Sequence, residues 1–182
     1  MTCVMWFRDD LRLSDNQALT WASEQGEVVA LVVDEPAYPG TRQLGGASHW
    51  WRERSLQSLR VRLAEHGVRL LRRKGDARAV VPEFCAEVAA TSASWTRRYH
   101  QPLREVDAAV KQALSDAHVN ATSHPGHTLV EPWEVLTLKG KPYRVYMPFA
   151  KTARQQLRDD DPLPEPCLLY TSLMARGRRV DL

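Results

Sequence analysis

The first sixteen residues constrain the fold of this chain more than any other stretch. An unbroken apolar run, Cys3-Val4-Met5-Trp6-Phe7, passes directly into Arg8-Asp9-Asp10-Leu11-Arg12-Leu13-Ser14-Asp15-Asn16. Consecutive apolar residues suit a strand covered on both faces, because a half-exposed strand would alternate. Ser14 with Gln17 three positions later matches a capping box, so a helix is expected to open at about Asp15. Strand, charged turn and helix make half of a βαβ unit. In an open parallel sheet ligands sit beyond the carboxyl ends of the strands, which puts Arg8, Asp9 and Asp10 on the functional edge. The turn lacks the G-x-G-x-x-G and G-x-x-x-x-G-K-[ST] patterns, whose glycines bring backbone amides close to phosphates. That argues against an NAD dehydrogenase or a P-loop NTPase.

The alternation continues. Ala18, Leu19 and Ala22 form the inner face of the first helix, which ends near Gly26, and 28–33 is a second buried strand ending in Asp34-Glu35. Pro36 to Gly46 is a loop. Ser48 to His66 reads as a helix with Leu56, Leu59 and Leu63 inward, closed by Gly67. Val68 to Arg72 follows as a strand. Asp76 caps the next helix, within which Pro82 requires either a kink or a late start. Thr91 to Thr96 is a fourth strand by its place in the order more than by its composition. Pro102 opens a helix whose apolar face is Leu103, Val106, Val110, Leu114 and Ala117, and 119–123 completes the sheet. The expected fold is α/β: a doubly wound, Rossmann-like, five-stranded parallel sheet with helices on both faces.

Composition excludes little but closes some doors. The chain has 25 basic and 22 acidic residues, so net charge alone does not announce nucleic-acid binding. Cys3, Cys85 and Cys167 are far apart and odd in number, which supports neither a disulfide framework nor a zinc site. No run approaches the length of a membrane span and no secretory leader is evident, so a cytoplasmic protein is expected. His124 and His127 read as a loop pair without a third metal ligand. Trp50-Trp51 reads as core or as an interdomain contact.

The segment Trp6-Phe7-Arg8-Asp9-Asp10-Leu11-Arg12-Leu13-Ser14-Asp15-Asn16 resembles the opening of the DNA photolyase and cryptochrome family. Two later segments, Glu131-Pro132-Trp133-Glu134-Val135-Leu136-Thr137 and Gly140-Lys141-Pro142-Tyr143-Arg144-Val145-Tyr146-Met147-Pro148-Phe149, resemble that family's E-P-x-x-V-x-T and G-x-P-Y-x-V-x-x-P-F patterns. The resemblance covers about residues 1–158. It implies an N-terminal α/β domain over 1–130 and the start of an interdomain linker over 131–166. Residues 167–182 read as a non-family tail, either an artefactual end to the reading frame or a real extension that is disordered or weakly helical.

The resemblance also implies function. The family's N-terminal domain holds a light-harvesting antenna chromophore, with methenyltetrahydrofolate and 8-hydroxy-deazaflavin both open here. The catalytic FAD and the pocket for ultraviolet-damaged DNA belong to a helical domain that the chain does not include, so the fragment alone is expected to be inactive. The antenna candidates are Trp6, Arg8 and Asp9 after the first strand, Asp34 and Glu35 after the second, and Trp95, Arg97, Arg98 and His100 after the fourth. His100 stands where the family commonly carries an acidic residue. A cryptochrome-type photoreceptor is an alternative of the same architecture. A stand-alone flavin- or nucleotide-binding module of electron-transfer flavoprotein type is an alternative of a different class.

Overall fold

The computed structural model describes residues 1–157 and 161–168. Five parallel strands, β1 (Thr2–Phe7), β2 (Glu27–Asp34), β3 (Leu70–Lys74), β4 (Ser92–Thr96) and β5 (Asn120–His124), lie in the order β3-β2-β1-β4-β5. The connections are α1 (Gln17–Gln25), α2 (Gly46–Glu65), α3 (Ala77–Glu87) and α4 (Gln101–Asp116). The order reverses between β1 and β4, which pair in register from Cys3 with Ser92 to Trp6 with Trp95. This is the doubly wound topology expected from the alternation, and it fixes the switch point at the ends of β1 and β4.

The pleat of β1 divides the core in two. Cys3, Met5 and Phe7 face α1 and α2, packing with Leu19, Leu59 and Leu63. Val4 and Trp6 face α3 and α4, packing with Phe84, Trp95, Val110 and Leu114. Each large side chain buried here contributes roughly 1.5–3 kcal/mol. β4 is polar by composition yet buried along its whole length. Its small residues let α1 approach closely, and the Ser94 hydroxyl donates to the Ala18 carbonyl at 2.9 Å.

Local details differ from the sequence reading where the backbone has its own requirements. Ser14 does not cap α1. Asp15 adopts φ of 50°, which turns Ser14 away and leaves Asn16 at the N-cap, its Oδ1 accepting from Leu19 N at 3.0 Å. α3 runs from its Asp76 cap through Pro82, so the proline does not mark a late start. Gly67 closes α2 with φ of 73°, as expected of a C′ glycine. Ala117 is exposed at the end of α4 and adds nothing to the face formed by Val106, Val110 and Leu114. Trp50 and Trp51 lie outside the core, 58% and 69% exposed.

Beyond β5 the chain forms a bridge between Leu136 and Pro142 and a helix, α5 (Tyr146–Gln156), with no buried side chain. Residues 161–168 return to the α/β domain. Asp15 N donates to Leu163 O at 2.8 Å, Glu165 pairs with Arg62 and His66, and Leu168 sits in the core beside α1 and α2. Thus part of the stretch read as linker and tail packs on the domain, while 169–182 lies outside the described residues. No helix among the described residues is long and apolar enough to cross a membrane.

Candidate functional site

Three strands and one helix bring charge to the switch point. β1 supplies Trp6 and, directly after its end, Arg8. β4 supplies Trp95 and, beyond its end, Arg98. Glu35 follows β2, and Asp107 projects from α4. Arg8 donates from Nη1 to Asp107 Oδ1 at 2.5 Å and from Nη2 to the Thr96 carbonyl. Arg98 donates to the same Asp107 oxygen at 2.7 Å and to Glu35 at 2.6 Å. The Arg8 and Arg98 side chains are only 5% and 6% exposed. Both guanidinium groups stand over the Trp6 ring, at 4.4 Å and 5.6 Å from its centroid. Trp6 in turn meets Trp95 edge to face at 5.7 Å.

The cluster balances two buried cations against two carboxylates, but its hydrogen bonding is incomplete. Trp6 Nε1, Trp95 Nε1, Arg8 Nε, Arg98 Nε and Asp107 Oδ2 are buried with no protein partner among the described residues. Buried polar atoms are nearly always paired, so this edge holds unused donors and one unused acceptor between aromatic walls. Burial pulls the Arg8 pKa below the ordinary guanidinium value, with the Asp107 charge opposing it. At Arg98 burial acts the same way, but hydrogen bonds and charge from Glu35 and Asp107 outweigh it and the value rises. Tyr38 closes one side. Its hydroxyl accepts from Ala77 N at 3.1 Å and lies 3.3 Å from carboxylate oxygens of Glu35 and Asp76. Burial, with the charges of Glu35 and Asp76, pushes this phenol up to about 12.

The other residues predicted for the site lie elsewhere. Asp34 and Glu35 are adjacent, so the strand sends them to opposite faces. Asp34 turns toward α2 and β3, whose Arg52 and Arg72 bind it at 2.7 Å and 2.5 Å. Arg97 points away from Arg98 and pairs with Glu131, which also accepts from the Tyr99 hydroxyl at 2.9 Å. The Arg97 guanidinium stacks 5.1 Å from the Trp133 ring. Asp9 is exposed and makes no side-chain hydrogen bond among the described residues. His100 is exposed at the N-cap position of α4 and makes no capping bond. The structure therefore brings together Trp6, Arg8, Glu35, Trp95 and Arg98, and leaves Asp9, Asp34, Arg97 and His100 outside that cluster.

The family model for DNA photolyase matches residues 3–167. The chain belongs to the DNA photolyase family. The deoxyribodipyrimidine photo-lyase of Agrobacterium fabrum is 41% identical over 146 residues, covering 80% of this chain and 30% of that protein. Cryptochrome-2 of Arabidopsis thaliana is 30% identical over 166 residues, 90% of this chain and 27% of that one. Among solved structures, the class III photolyase of Agrobacterium tumefaciens superposes with a TM-score of 0.81 at 36% identity, over 91% of this chain and 34% of that chain. A photolyase of Sulfolobus tokodaii described with two FAD molecules superposes with a TM-score of 0.73 at 21% identity, a likeness of fold. The chain spans about a third of the length of these photolyases and matches their N-terminal portion.

Photolyases bind flavin and antenna chromophores. Within this photolyase domain, sequence reading missed Asp107, which holds both buried arginines, and Tyr38. Asp107 did carry a signal. It follows Val106 and lies three residues before Val110, so it borders the buried stripe of α4 at a position where a solvated carboxylate is unexpected. Tyr38 carried none, because it lies in a loop whose path only the packed structure defines.

Proposed function

We propose that this chain is the N-terminal antenna domain of a deoxyribodipyrimidine photolyase, which uses light to repair ultraviolet-induced pyrimidine dimers in DNA. The observation that carries the reading is the group of five unpartnered buried polar atoms between Trp6, Trp95, Arg8, Arg98 and Asp107 at the topological switch point. A polar-edged heterocycle such as methenyltetrahydrofolate or 8-hydroxy-deazaflavin suits that donor set. When bound, such a chromophore absorbs light and passes excitation to the flavin of the helical domain. The chain's own residues bind and orient it: Arg98 and Glu35 present charge toward its edge, and Trp6 and Trp95 exclude water. The 41% identity to the photo-lyase of Agrobacterium fabrum, against 33% and 30% to Cryptochrome-1 and Cryptochrome-2 of Arabidopsis thaliana, supports the repair enzyme over the photoreceptor.

The segment that follows β5 supports the same architecture. Trp133, Tyr146 and Phe149 are 54%, 71% and 40% exposed, and such a patch suits docking of the helical domain that carries FAD and meets damaged DNA in a cytoplasmic enzyme. The test titrates the purified 182-residue chain with each chromophore while following indole fluorescence, which energy transfer to a chromophore beside Trp6 and Trp95 would quench. Saturable quenching, weakened by Arg98→Gln, is expected for one of the two. Absence of quenching by both at chromophore concentrations well above that of the protein would refute the reading.

A further inference from the structure

The outer face of α2 and its neighbour β3 carries a charge that the antenna reading does not use. Residues 42–74 contain nine arginines and lysines against two acidic residues, a net +7 in a chain whose total is +3, which leaves −4 for the remainder. All but one of the nine are arginine. Part of this charge is internally satisfied or faces elsewhere: Arg52 and Arg72 share Asp34, Arg72 also holds Glu53, Arg62 binds Glu165, and Arg73 turns to Glu87 of α3. Arg54, Arg60 and Arg69 pair with no carboxylate among the described residues.

The shape of this face follows α2. A groove of about 400 Å³ runs between α2 and β3, with Arg54, Arg60 and Arg72 along it. A second of about 340 Å³ lies on the other flank of the helix, where Trp51, Arg54 and Arg62 contribute. Arg54 stands on the ridge between them and lies 5.2 Å from the Trp50 ring centroid. At the amino end of the helix Trp50 and Trp51, centroids 6.4 Å apart, present their rings to solvent. Two exposed indoles would not be kept beside unpaired guanidinium groups by core packing, which uses only Leu56, Leu59 and Leu63 of this helix.

We propose that this face binds single-stranded nucleic acid, with Arg54 and Arg60 on phosphates and bases stacked on Trp50 and Trp51. Guanidinium groups meet phosphates bidentately, and aromatic platforms beside a cationic groove hold unpaired bases without reading their sequence. An anionic membrane fits less well. Interfacial helices insert an apolar face, and the apolar face of α2 is already buried in the core. The proposal does not rest on the antenna reading, since none of these residues touches the switch-point cluster.

The test is fluorescence anisotropy of a labelled twelve-nucleotide oligothymidylate titrated with the 182-residue chain between 50 and 200 mM salt. For two or three neutralised phosphates the expected slope of log K against log salt is roughly −1.4 to −2.1. The Arg54→Glu/Arg60→Glu variant, changed only at exposed positions, is expected to bind at least about tenfold more weakly at low salt. Trp50→Ala/Trp51→Ala should weaken binding roughly fivefold or more while leaving the salt slope in place. Unchanged affinity in the arginine variant overturns the proposal, as does binding to phosphatidylserine vesicles without binding to the oligonucleotide.

Discussion

Asp107→Asn tests the switch-point cluster most directly. In the native chain one oxygen of Asp107 accepts from Arg8 at 2.5 Å and from Arg98 at 2.7 Å, and its side chain is 12% exposed. Asparagine keeps the shape, removes the charge and can turn its amide donors toward two guanidinium groups. Arg98 retains Glu35 at 2.6 Å. Arg8 retains only the Thr96 carbonyl and the Trp6 ring at 4.4 Å. Stacking on an aromatic ring is worth up to about 2 kcal/mol when desolvated, less than the roughly 3–5 kcal/mol lost when one partner of a buried ion pair is removed. Against a total stability of about 5–15 kcal/mol that is a large fraction. With a urea slope of about 2 kcal/mol/M, the midpoint should fall by roughly 1.5–2.5 M, as followed by the fluorescence of buried Trp6 and Trp95. Replacing the whole pair, as Arg8→Met/Asp107→Leu, should recover most of the loss, because apolar substitutes for a buried pair are often neutral. A midpoint for Asp107→Asn within about 0.3 M of the native chain would show that the cluster is solvated and the argument wrong.

Three further outcomes follow from single positions. Burial, with the nearby Arg97 charge, holds the His124 pKa down to about 4; the unfolded chain binds its proton near 6.5, so stability should decline as pH falls from about 6.5 to 4. His124→Phe should flatten that stretch of a urea-midpoint profile, and an unaltered slope would exclude His124 as its origin. His100→Asp places a carboxylate at the α4 N-cap, within reach of the Leu103 amide that now bonds only the His100 carbonyl at 3.0 Å. It should raise stability by about 1 kcal/mol, read as a higher thermal midpoint. At Gly126 an added Cβ would lie 2.7 Å from Thr96 Cγ2 and 3.3 Å from Asp10 Oδ2, so Gly126→Ala should destabilise by about 1–3 kcal/mol, measurable as a lowered urea midpoint.

The sequence by itself determined the fold. Apolar runs ending in charge, leucines at helical spacing and glycine or aspartate at the joints are local signals, and a parallel sheet with crossovers is nearly the only way to satisfy them together. It also placed Trp6, Arg8, Glu35, Trp95 and Arg98 at one edge, because strand ends in such a sheet share that edge. What it did not determine was which neighbours along the chain become neighbours in space. Asp34 and Glu35, like Arg97 and Arg98, stand side by side in sequence yet serve separate clusters, since successive residues leave an extended backbone on opposite sides. Only the tertiary structure brought Asp107 to Arg8, 99 residues away. That meeting depends on how α4 lies across β1 and β4, a matter of side-chain volumes summed over the whole second core, and no short stretch of sequence carries that sum.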